Sequence, residues 1–469
     1  MVFSSIVFLF FFLPLVLAVY FLTPGIRARN IVLLVFSLLF YAWGEGELVL
    51  LMVLSSLFNY AVGLWIDRKR GSSIPIITGV AVNLGLLVYF KYISFLVGSI
   101  DAVLGTHWNN GIDIRLPLGI SFFTFHCISY IVDVHRGHAK VQRNAFDVML
   151  YIAVFPQLIA GPILRYTQTS PYLKVRTHTL EGFVEGAKRF CVGLAKKVLI
   201  ANVMGEIADE VFHMPHEEWY FALTWFAICA YALQIYFDFS GYSDMAIGLG
   251  RMLGFNFPEN FNFPYIARSI KEFWRRWHIT LSTWFRDYLY IPLGGNRAGT
   301  GRMYFNLIFV FFITGLWHGA TWNFVLWGLM HGFFLIIERD RFGALLARFP
   351  VLGHTYTLLV VLFAWVLFRL PDLHTVGDFY ASMFRPSPQV EGLFLHELLD
   401  REYAVIFVLG VLLSMPVRGT ILRLKPPAGQ GVMTAVWDSA STVFHLLVLL
   451  LSAMSIASST YNPFIYFRF

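Results

Sequence analysis

Apolar segments of membrane length follow one another along the whole chain, separated by short polar or basic stretches. A helix that crosses a bilayer needs about 20 apolar residues, so each segment predicts a complete or partial crossing. Several segments are shorter, and we expect about eleven true crossings, with the others tilted, broken or re-entrant. The predicted segments are residues 3–22, 31–43, 47–66, 75–103, 117–133, 146–160, 190–211, 220–238, 303–317, 321–338, 355–370, 403–415 and 439–457.

The composition supports the same interpretation. Of 469 residues, 58% are hydrophobic and only 13% are charged, whereas a soluble domain carries roughly 25% charged residues. The 48 phenylalanines and 13 tryptophans suit lipid-facing surfaces and interfacial belts. No long polar region separates the apolar segments. The sequence therefore predicts an all-α, polytopic membrane protein with a single membrane-embedded domain over residues 1–469.

The basic residues between the apolar segments set the expected orientation. Residues 67–71 and 135–140 form basic loops, and such loops favour the cytoplasmic side of a membrane. Because three segments precede the first of these loops, we expect the N-terminus outside. This topology accounts for the formal net charge of +7 without a nucleic-acid partner. The chain starts without a basic stretch or a small-residue cleavage site, which predicts a retained first membrane helix.

Two stretches interrupt the apolar pattern. Residues 155–165 contain two prolines and a glycine and predict a broken helix. Residues 236–244 place Asp238 and Asp244 around a turn that we expect at Gly241. Non-helical backbone at membrane depth is tolerated only where protein or a water-filled cavity covers it. Both interruptions therefore predict an internal cavity, with re-entrant or interfacial helices around it.

Most of the positive charge lies in one region. Between Tyr265 and Arg302 there are seven Lys or Arg and two acidic residues, a local net charge of 7 − 2 = +5. We expect this region on the cytoplasmic side. Arg275 and Arg276 belong to it, and a basic amphipathic helix that rests on anionic lipid would explain them equally well. His278 lies two residues after Arg276, and the lipid alternative explains it poorly, because a histidine adds little to lipid attachment.

His318 lies next to or inside an apolar segment, where an ionisable side chain is costly and points to function. It could instead be a buried histidine that only bonds a backbone carbonyl. Gly315 and Gly319 leave room beside it for a ligand or another backbone, and Trp317 and Trp322 could line a slot. A neutral imidazole can take a proton from a hydroxyl group.

Other candidates favour structural roles. His331 follows His318 by 13 residues, roughly 220° around a continuous helix, so it would face away from His318. We interpret it as structural or supporting, His126 as a satisfied core histidine, and Arg286 with Asp287 as a structural ion pair. Cys127, Cys191 and Cys229 lack a CxxC spacing, and no HExxH occurs, so neither a disulfide framework nor a metal site is predicted.

The segments SIKEFWRRWHITLSTWFRDYLYIPLGGNR and GLWHGATWNFVLWGLMHG resemble the membrane-bound O-acyltransferase family. They are most similar to its bacterial branch, which O-acetylates secreted polysaccharides. FPQLIAGPILR and YFDFSGYSDMAIGLG match that branch too, with the most specific motifs within residues 234–332. The resemblance implies a helical fold around a central, pore-like cavity. It also implies that His318 and His278 are the two catalytic residues, since the family has a histidine in WHG and a polar residue upstream.

The resemblance further implies an enzyme of the bacterial inner membrane that uses a cytoplasmic acetyl donor, acetyl-CoA, with no permanently bound cofactor. We assign Arg275, Arg276, Trp317 and Trp277 to donor binding. His318 would act as general base, and His278 or backbone donors would stabilise the oxyanion. A periplasmic acetyl-carrying partner protein would complete transfer to the polysaccharide, with alginate as the first expectation.

Three alternatives stay open at this point. Cellulose or peptidoglycan would suit the same enzyme as acceptors. A transporter or flippase for a lipid-linked sugar, from a different functional class, would explain the broken helices and internal polar groups. It would not explain two histidines in tryptophan-flanked motifs. Beyond about residue 350 no motif is recognised, so the sequence assigns no role to residues 350–469.

Overall fold

A computed structural model describes residues 1–297, 299–386, 400–417, 419, 423, 425–426, 431–459 and 461–465. Over these residues the regular structure is helical, and no strand occurs. The all-α prediction is therefore confirmed. The chain divides into two compact units, one of residues 1–190 with 245–258, and one of residues 191–244 with 259–469. That the whole chain forms one domain stays a prediction.

The first unit is built from consecutive helices of the N-terminal half, and the tenth continues into the second unit. These helices are α1 Leu13–Leu22, α2 Ile26–Glu45, α3 Val49–Arg68, α4 Ile74–Leu87, α5 Ile93–Leu104, α6 Ile120–His135, α7 Ala145–Ala153, α8 Phe155–Leu158, α9 Tyr166–Lys174 and α10 Leu180–Ala195. A run of buried phenylalanines packs α1 and its π-helical start against α2 and α8, with Phe12 5.5 Å from Phe155 between ring centroids.

The second unit contains most of the remaining helices, and the last turns of α12 belong to the first unit. Short π-helical turns extend some helices, as at Lys196–Ala201 and Arg286–Tyr290. The helices are α11 Asn202–Phe212, α12 Phe221–Met252, α13 Ile270–Arg276, α14 Ile279–Phe285, α15 Thr300–His318, α16 Trp322–Ile337, α17 Arg341–Arg348, α18 Pro350–Arg369, α19 Leu373–Ser382, α20 Arg401–Leu413 and α21 Gly431–Ser458.

Several helices are long and apolar enough to cross a membrane, so the chain is a multi-pass membrane protein. Among the described residues, five segments meet this requirement: Ile26–Arg68, Ile74–Leu104, Phe221–Met252, Pro350–Arg369 and Gly431–Ser458. Shorter apolar helices occur at Phe8–Leu22, Ile120–His135 and Trp322–Ile337. These lengths do not confirm about eleven crossings. In α12, 72% of the most apolar stretch is buried, against 6% in α21, whose apolar surface faces outward.

The interruption at residues 155–165 is confirmed. α8 is a single turn that contains Pro156, and residues 159–165 are not helical although most of them are buried. Protein groups satisfy this backbone: the Phe155 N–H donates to Ser37 Oγ at 3.0 Å, and Tyr151 Oη donates to the Leu164 carbonyl at 2.9 Å. Covering polar backbone in this way is the condition under which a broken helix is tolerated at membrane depth.

The predicted turn at residues 236–244 is wrong, because α12 runs through it without a break. Gly241 instead allows close packing: a Cβ there would lie 2.7 Å from the Gly193 carbonyl oxygen of α10. Asp238 and Asp244 are neutralised by neighbouring lysines, Lys197 at 2.9 Å and Lys196 at 2.7 Å. A buried carboxylate needs such a partner. We therefore interpret the two aspartates as members of structural ion pairs, and not as signs of a helix interruption.

Glycines also allow α15 and α16 to pack closely; α15 ends at His318. A Cβ on Gly328 would lie 2.2 Å from the Phe311 carbonyl oxygen, and one on Gly315 would lie 2.2 Å from the Phe324 carbonyl oxygen. The two backbones therefore touch, as small residues permit at helix interfaces in membranes. The sequence left open whether a ligand or another backbone fills the room that Gly315 leaves beside His318. The backbone of α16 fills it.

We expect Gly328→Ala to separate α15 from α16 and to destabilise the protein by about 1–3 kcal/mol, because the added methyl group meets rigid backbone. The measurement is the thermal unfolding midpoint of purified protein in detergent. Gly301→Ala is the matched control on α15, since a Cβ there meets nothing within 4 Å. It should leave the midpoint unchanged or raise it slightly. Equal midpoints for Gly328→Ala and wild type would contradict the close contact.

Candidate active site

His318 is the last residue of α15 and is buried, with 1% of its surface exposed. Aromatic rings surround the imidazole: Trp317 and Trp327 lie 4.9 Å away and Phe368 5.2 Å away, each between ring centroids and in an edge-on arrangement. These rings come from α15, α16 and α18. The histidine therefore sits in an apolar box formed by three helices, where water is excluded and electrostatic interactions are strong.

His278 lies in the turn between α13 and α14 and is fully buried. Its backbone is left-handed, with φ of 42° and ψ of 54°, a conformation that is uncommon for residues other than glycine. The Ile279 N–H donates to the Asn260 carbonyl at 2.9 Å and helps to hold this turn. Strained backbone costs about 1–3 kcal/mol and concentrates at functional sites, so His278 is a stronger candidate than its motif alone indicated.

Asn260 fixes the tautomer of His278. Its Oδ1 accepts from the Thr280 N–H at 3.2 Å and from Thr280 Oγ1 at 2.9 Å, and its Nδ2 donates to Ser243 Oγ at 3.1 Å. The oxygen of the amide must therefore face Thr280. His278 Nδ1, 3.2 Å from the same oxygen, is then the protonated nitrogen and donates to it. In the neutral ring Nε2 consequently carries a lone pair and acts as an acceptor.

Burial keeps the His278 ring neutral. This residue lies outside the spanning helices, and desolvation of the charged form lowers its pKa to about 3. A neutral ring with Nδ1 protonated suits proton acceptance through Nε2. It does not suit donation to an oxyanion, which the sequence analysis gave as one possible role of His278. Backbone donors are then the remaining alternative for that task.

The two predicted catalytic histidines meet at one tryptophan. Trp317 lies 6.1 Å from His278 and 4.9 Å from His318 between ring centroids. His278 also contacts Phe239 of α12, at 4.6 Å between ring centroids. Although 40 residues separate the two histidines, the fold brings them to neighbouring positions in the second unit. The pairing predicted from the sequence is thus present in space.

The expected placement of His331 rested on a wrong premise. α15 ends at His318 and a new helix starts at Trp322, so no continuous helix joins the two histidines. His331 is buried and lies 5.0 Å from Trp327, the ring that also contacts His318. Trp322, expected to line the slot, is 54% exposed instead, and Trp327 takes that place. His331 therefore belongs to the packing around the site.

α18 contributes site residues that the sequence analysis missed. Trp365 packs 5.0 Å from Trp277, and Phe368 closes the box around His318. No motif was recognised beyond about residue 350, but aromatic residues three apart on an apolar helix were a usable signal, since they lie on one face. Asn260 was missed as well, because a single asparagine in a loop has no spacing that marks it as a partner of His278.

The residues assigned to donor binding are placed differently from one another. Trp277 is buried among Phe261, Phe273 and Trp365, and Trp317 contacts both histidines. Arg276 pairs with Glu272 at 2.8 Å and donates to the Asn262 carbonyl at 3.0 Å. The neighbouring Arg275 is exposed. Of the two arginines, Arg275 is therefore the one available to a ligand.

Two further expectations can be compared with the structure. Arg286 and Asp287 form the expected ion pair, with 2.6 Å between Arg286 Nε and Asp287 Oδ1. His126 is buried in α6 as expected, but neither ring nitrogen has a hydrogen-bond partner among the described residues, so it is not satisfied. Over the same part of the chain, no group of three or more His, Cys, Asp or Glu is arranged to hold a metal ion.

Residues 461–465, near the C-terminus, pack against the π-helical turn Lys196–Ala201, α11 and α12. The Ile465 N–H donates to Asp238 Oδ2 at 2.9 Å, Lys197 Nζ donates to the Pro463 carbonyl, and Phe464 stacks on Tyr242 at 4.8 Å. Asp238 precedes Phe239, the ring that contacts His278. Residues 461–465 therefore bond to the residue that precedes Phe239 in α12. The sequence did not predict this position for them.

Comparison with known proteins agrees with this geometry. The sequence profile of the MBOAT, membrane-bound O-acyltransferase family matches residues 38–375, which include both histidines and their aromatic surroundings. The chain belongs to the membrane-bound O-acyltransferase family. Membership confirms the resemblance on which the sequence analysis relied, and it confirms the predicted enzyme class, an acyltransferase.

Individual relatives are similar over most or all of their length. The chain is 42% identical over 506 aligned positions to the probable alginate O-acetylase AlgI of Azotobacter vinelandii, with 100% of both chains covered. It is 41% identical to the protein of the same description from Pseudomonas putida, again over 100% of both chains. A peptidoglycan O-acetyltransferase of Helicobacter pylori is 36% identical, with 80% of this chain and 78% of that protein covered.

Proposed function

We propose that this membrane-bound O-acyltransferase is an O-acetyltransferase that moves acetyl groups from a cytoplasmic donor to a secreted polysaccharide. Alginate is the first candidate for that polysaccharide. The observation that carries the proposal is the pair of buried histidines around Trp317, in a chain similar over its full length to probable alginate O-acetylases. An enzyme with this function would lie in the inner membrane of a bacterium.

The proposed chemistry starts from an acetyl thioester, acetyl-CoA. The acceptor hydroxyl oxygen attacks the acetyl carbonyl carbon, and His318 takes the hydroxyl proton as general base. The tetrahedral intermediate then collapses, the carbon–sulfur bond breaks, and the protonated histidine returns its proton to the departing thiolate. Because aromatic rings exclude water from His318, hydrolysis of the thioester is suppressed.

His278 supports this step as a hydrogen-bond acceptor. Asn260 holds its Nδ1–H, which directs the Nε2 lone pair away from the asparagine. In this role His278 orients the acceptor hydroxyl or the proton that passes to His318, and backbone N–H groups stabilise the oxyanion. The left-handed turn at His278 fixes the ring in this orientation before substrate binds.

The proposal includes an architecture and a partner. About eleven crossings would surround a central cavity that is open to both sides of the membrane. The donor would enter from the cytoplasmic side, where the basic residues from 268 to 302 lie under the predicted topology. A periplasmic acetyl-carrying protein would receive the acetyl group and complete its transfer to the polysaccharide.

We expect Arg275→Gln to raise the KM for acetyl-CoA roughly twofold to tenfold while kcat changes less. An exposed guanidinium that meets a phosphate contributes equally to the ground state and the transition state. Steady-state kinetics in neutral detergent, repeated in anionic nanodiscs, provide the measurement. An unchanged KM in both settings would contradict a phosphate contact.

Arg276→Gln is the internal comparison. Since Arg276 is already bonded to Glu272 and to the Asn262 carbonyl, its loss should lower the thermal unfolding midpoint rather than affect the donor selectively. If Arg275 rests on lipid instead of a donor, its replacement should change lipid dependence or insertion and leave KM alone.

The acceptor can be tested in cells. A strain without this protein should export unacetylated alginate, and the wild-type chain should restore the acetyl groups detected by NMR of the purified polymer. Peptidoglycan is the second candidate, because a relative described as a peptidoglycan O-acetyltransferase is 36% identical. Restored acetylation of muropeptides, with unchanged alginate, would assign that acceptor instead. Restoration of neither polymer would contradict the proposed function.

A further inference from the structure

A cleft with a volume of about 680 Å³ opens in the first unit, between the segment that joins α9 to α10 and the last turn of α12. This volume falls within the range of about 300–1,000 Å³ that is typical of small-molecule sites. The lining combines four aromatic rings, of Phe21, Tyr172, Phe183 and Phe255, with polar groups and one arginine. These residues include Phe21, Phe183, Thr177, His178, Thr179 and Arg251.

The cleft is cationic. Arg251 lines it and pairs at 3.2 Å with Glu185, and no carboxylate is among the described residues that line it. Two more arginines stand directly behind the lining. Arg29 lies 3.3 Å from His178 Nδ1, and Arg176 lies 4.5 Å over the ring of Phe255. Arg176 is only 8% exposed, so its charge acts through a medium of low dielectric constant.

Hydrogen bonds fix the wall of the cleft. Arg29 can only donate, so His178 Nδ1 accepts from it and Nε2 carries the proton. That proton is donated to Tyr20 Oη at 2.8 Å, and Tyr20 donates to the Leu253 carbonyl at 3.0 Å. Burial, followed by the charges of Arg29 and Arg176, lowers the pKa of His178. The wall is therefore a neutral imidazole held in place by permanently charged groups.

Charge and shape together define the ligand. Arg29 and Arg176 form no close ion pair with a carboxylate among the described residues, although Asp147 acts on Arg176 at longer range, so both charges would favour an anion in the cleft. The first turn of α10 adds a favourable dipole, and Thr179 Oγ1 accepts from the Gly182 N–H at 3.0 Å there. Phe21 and Phe183 provide an apolar surface beside these charges.

We propose that this cleft binds a phosphate-bearing amphiphile. The phosphate lies against Arg251 and the start of α10, and the apolar part lies against Phe21 and Phe183. Two sources have this chemistry: the head group of an anionic phospholipid, and a soluble phosphate-bearing molecule such as coenzyme A. The inference goes beyond the proposed function, because phosphate binding here requires no acyl transfer at His318.

The test uses the purified full-length protein and native mass spectrometry. The probes are phosphatidylglycerol, phosphatidylcholine and coenzyme A, each added at the same concentration. Arg251→Gln removes the cation, and Asn256→Trp fills the cleft without a change of charge. Arg70→Gln is the matched control, since Arg70 is an exposed arginine of the first unit outside the cleft. Thermal unfolding establishes that each variant is folded.

We expect wild type and Arg70→Gln to retain a phosphate-bearing probe, and both cleft variants to retain about tenfold less, as for loss of a charge-assisted contact. Retention of phosphatidylglycerol that both cleft variants lose identifies a lipid site, and retention of coenzyme A that both cleft variants lose identifies a soluble ligand of the cleft. Retention of neither, or equal retention by wild type and Arg251→Gln, overturns the proposal. Neither result bears on alginate acetylation in cells, so the two proposals fail separately.

Discussion

Replacing His318 by alanine is expected to lower acetyl transfer by about 10² to 10⁴, the usual cost of losing a positioned general base. Removal of the ring leaves a cavity among three aromatic side chains and should cost some stability, but protein level and membrane insertion should stay close to normal. The measurement is the initial rate of acetyl transfer by purified wild type and variant at equal concentration. Thermal unfolding of both proteins separates a loss of chemistry from a loss of structure.

His126→Ala is the control for His318→Ala. It removes another fully buried helical histidine, in the first unit and outside the candidate site. It should therefore cost stability but leave the rate per folded molecule close to wild type. Wild-type acetyl transfer by a folded His318→Ala protein would remove His318 from the mechanism, whatever its similarity to other family members.

Replacing His278 by alanine should lower kcat by about 10² or more, with a smaller change in KM. The reason is that the ring, held by Asn260, orients the reacting groups in the transition state. It does not contribute to binding of the donor in the ground state. Asparagine tolerates the left-handed backbone at this position, so His278→Asn separates the loss of the imidazole from strain. Equal kcat for wild type and a folded His278→Asn protein would contradict a chemical role for the ring.

Stability and rate should depend on pH in different ways at His278. In the unfolded chain a histidine has a pKa of about 6.5, whereas burial lowers the pKa of His278 in the folded protein to about 3. Protons therefore favour the unfolded state below about pH 6.5, and stability should fall as the pH falls. Between about pH 5 and pH 8 the folded ring stays neutral, so His278 adds no inflection to the rate.

The sequence indicated the immediate neighbours of the two histidines better than it indicated the architecture. Both histidines stand in motifs whose aromatic residues form part of their surroundings, and Trp317 contacts both rings. The broken helix at Pro156 was equally visible, because proline removes a backbone donor. These features depend on local chemistry, which is readable from neighbouring residues.

The remaining features depend on contacts between distant segments. Gly241 looked like a turn, but its role is set by the approach of Gly193 from another helix. The position of His331 depended on whether the chain reverses after His318, and periodicity cannot show such a reversal. Asn260, Trp365 and the C-terminal segment join the site only through the fold. Composition and spacing contain no signal for such long-range contacts.

The most direct test of acetyl transfer uses proteoliposomes that contain the purified protein and acetyl-CoA labelled in the acetyl group, supplied on one side. The account predicts that the thioester is cleaved and the label passes to an acceptor hydroxyl, with His318→Ala inactive in the same preparation. Movement of a lipid-linked sugar across the bilayer with no loss of acetyl groups from the thioester would contradict it and favour a transporter.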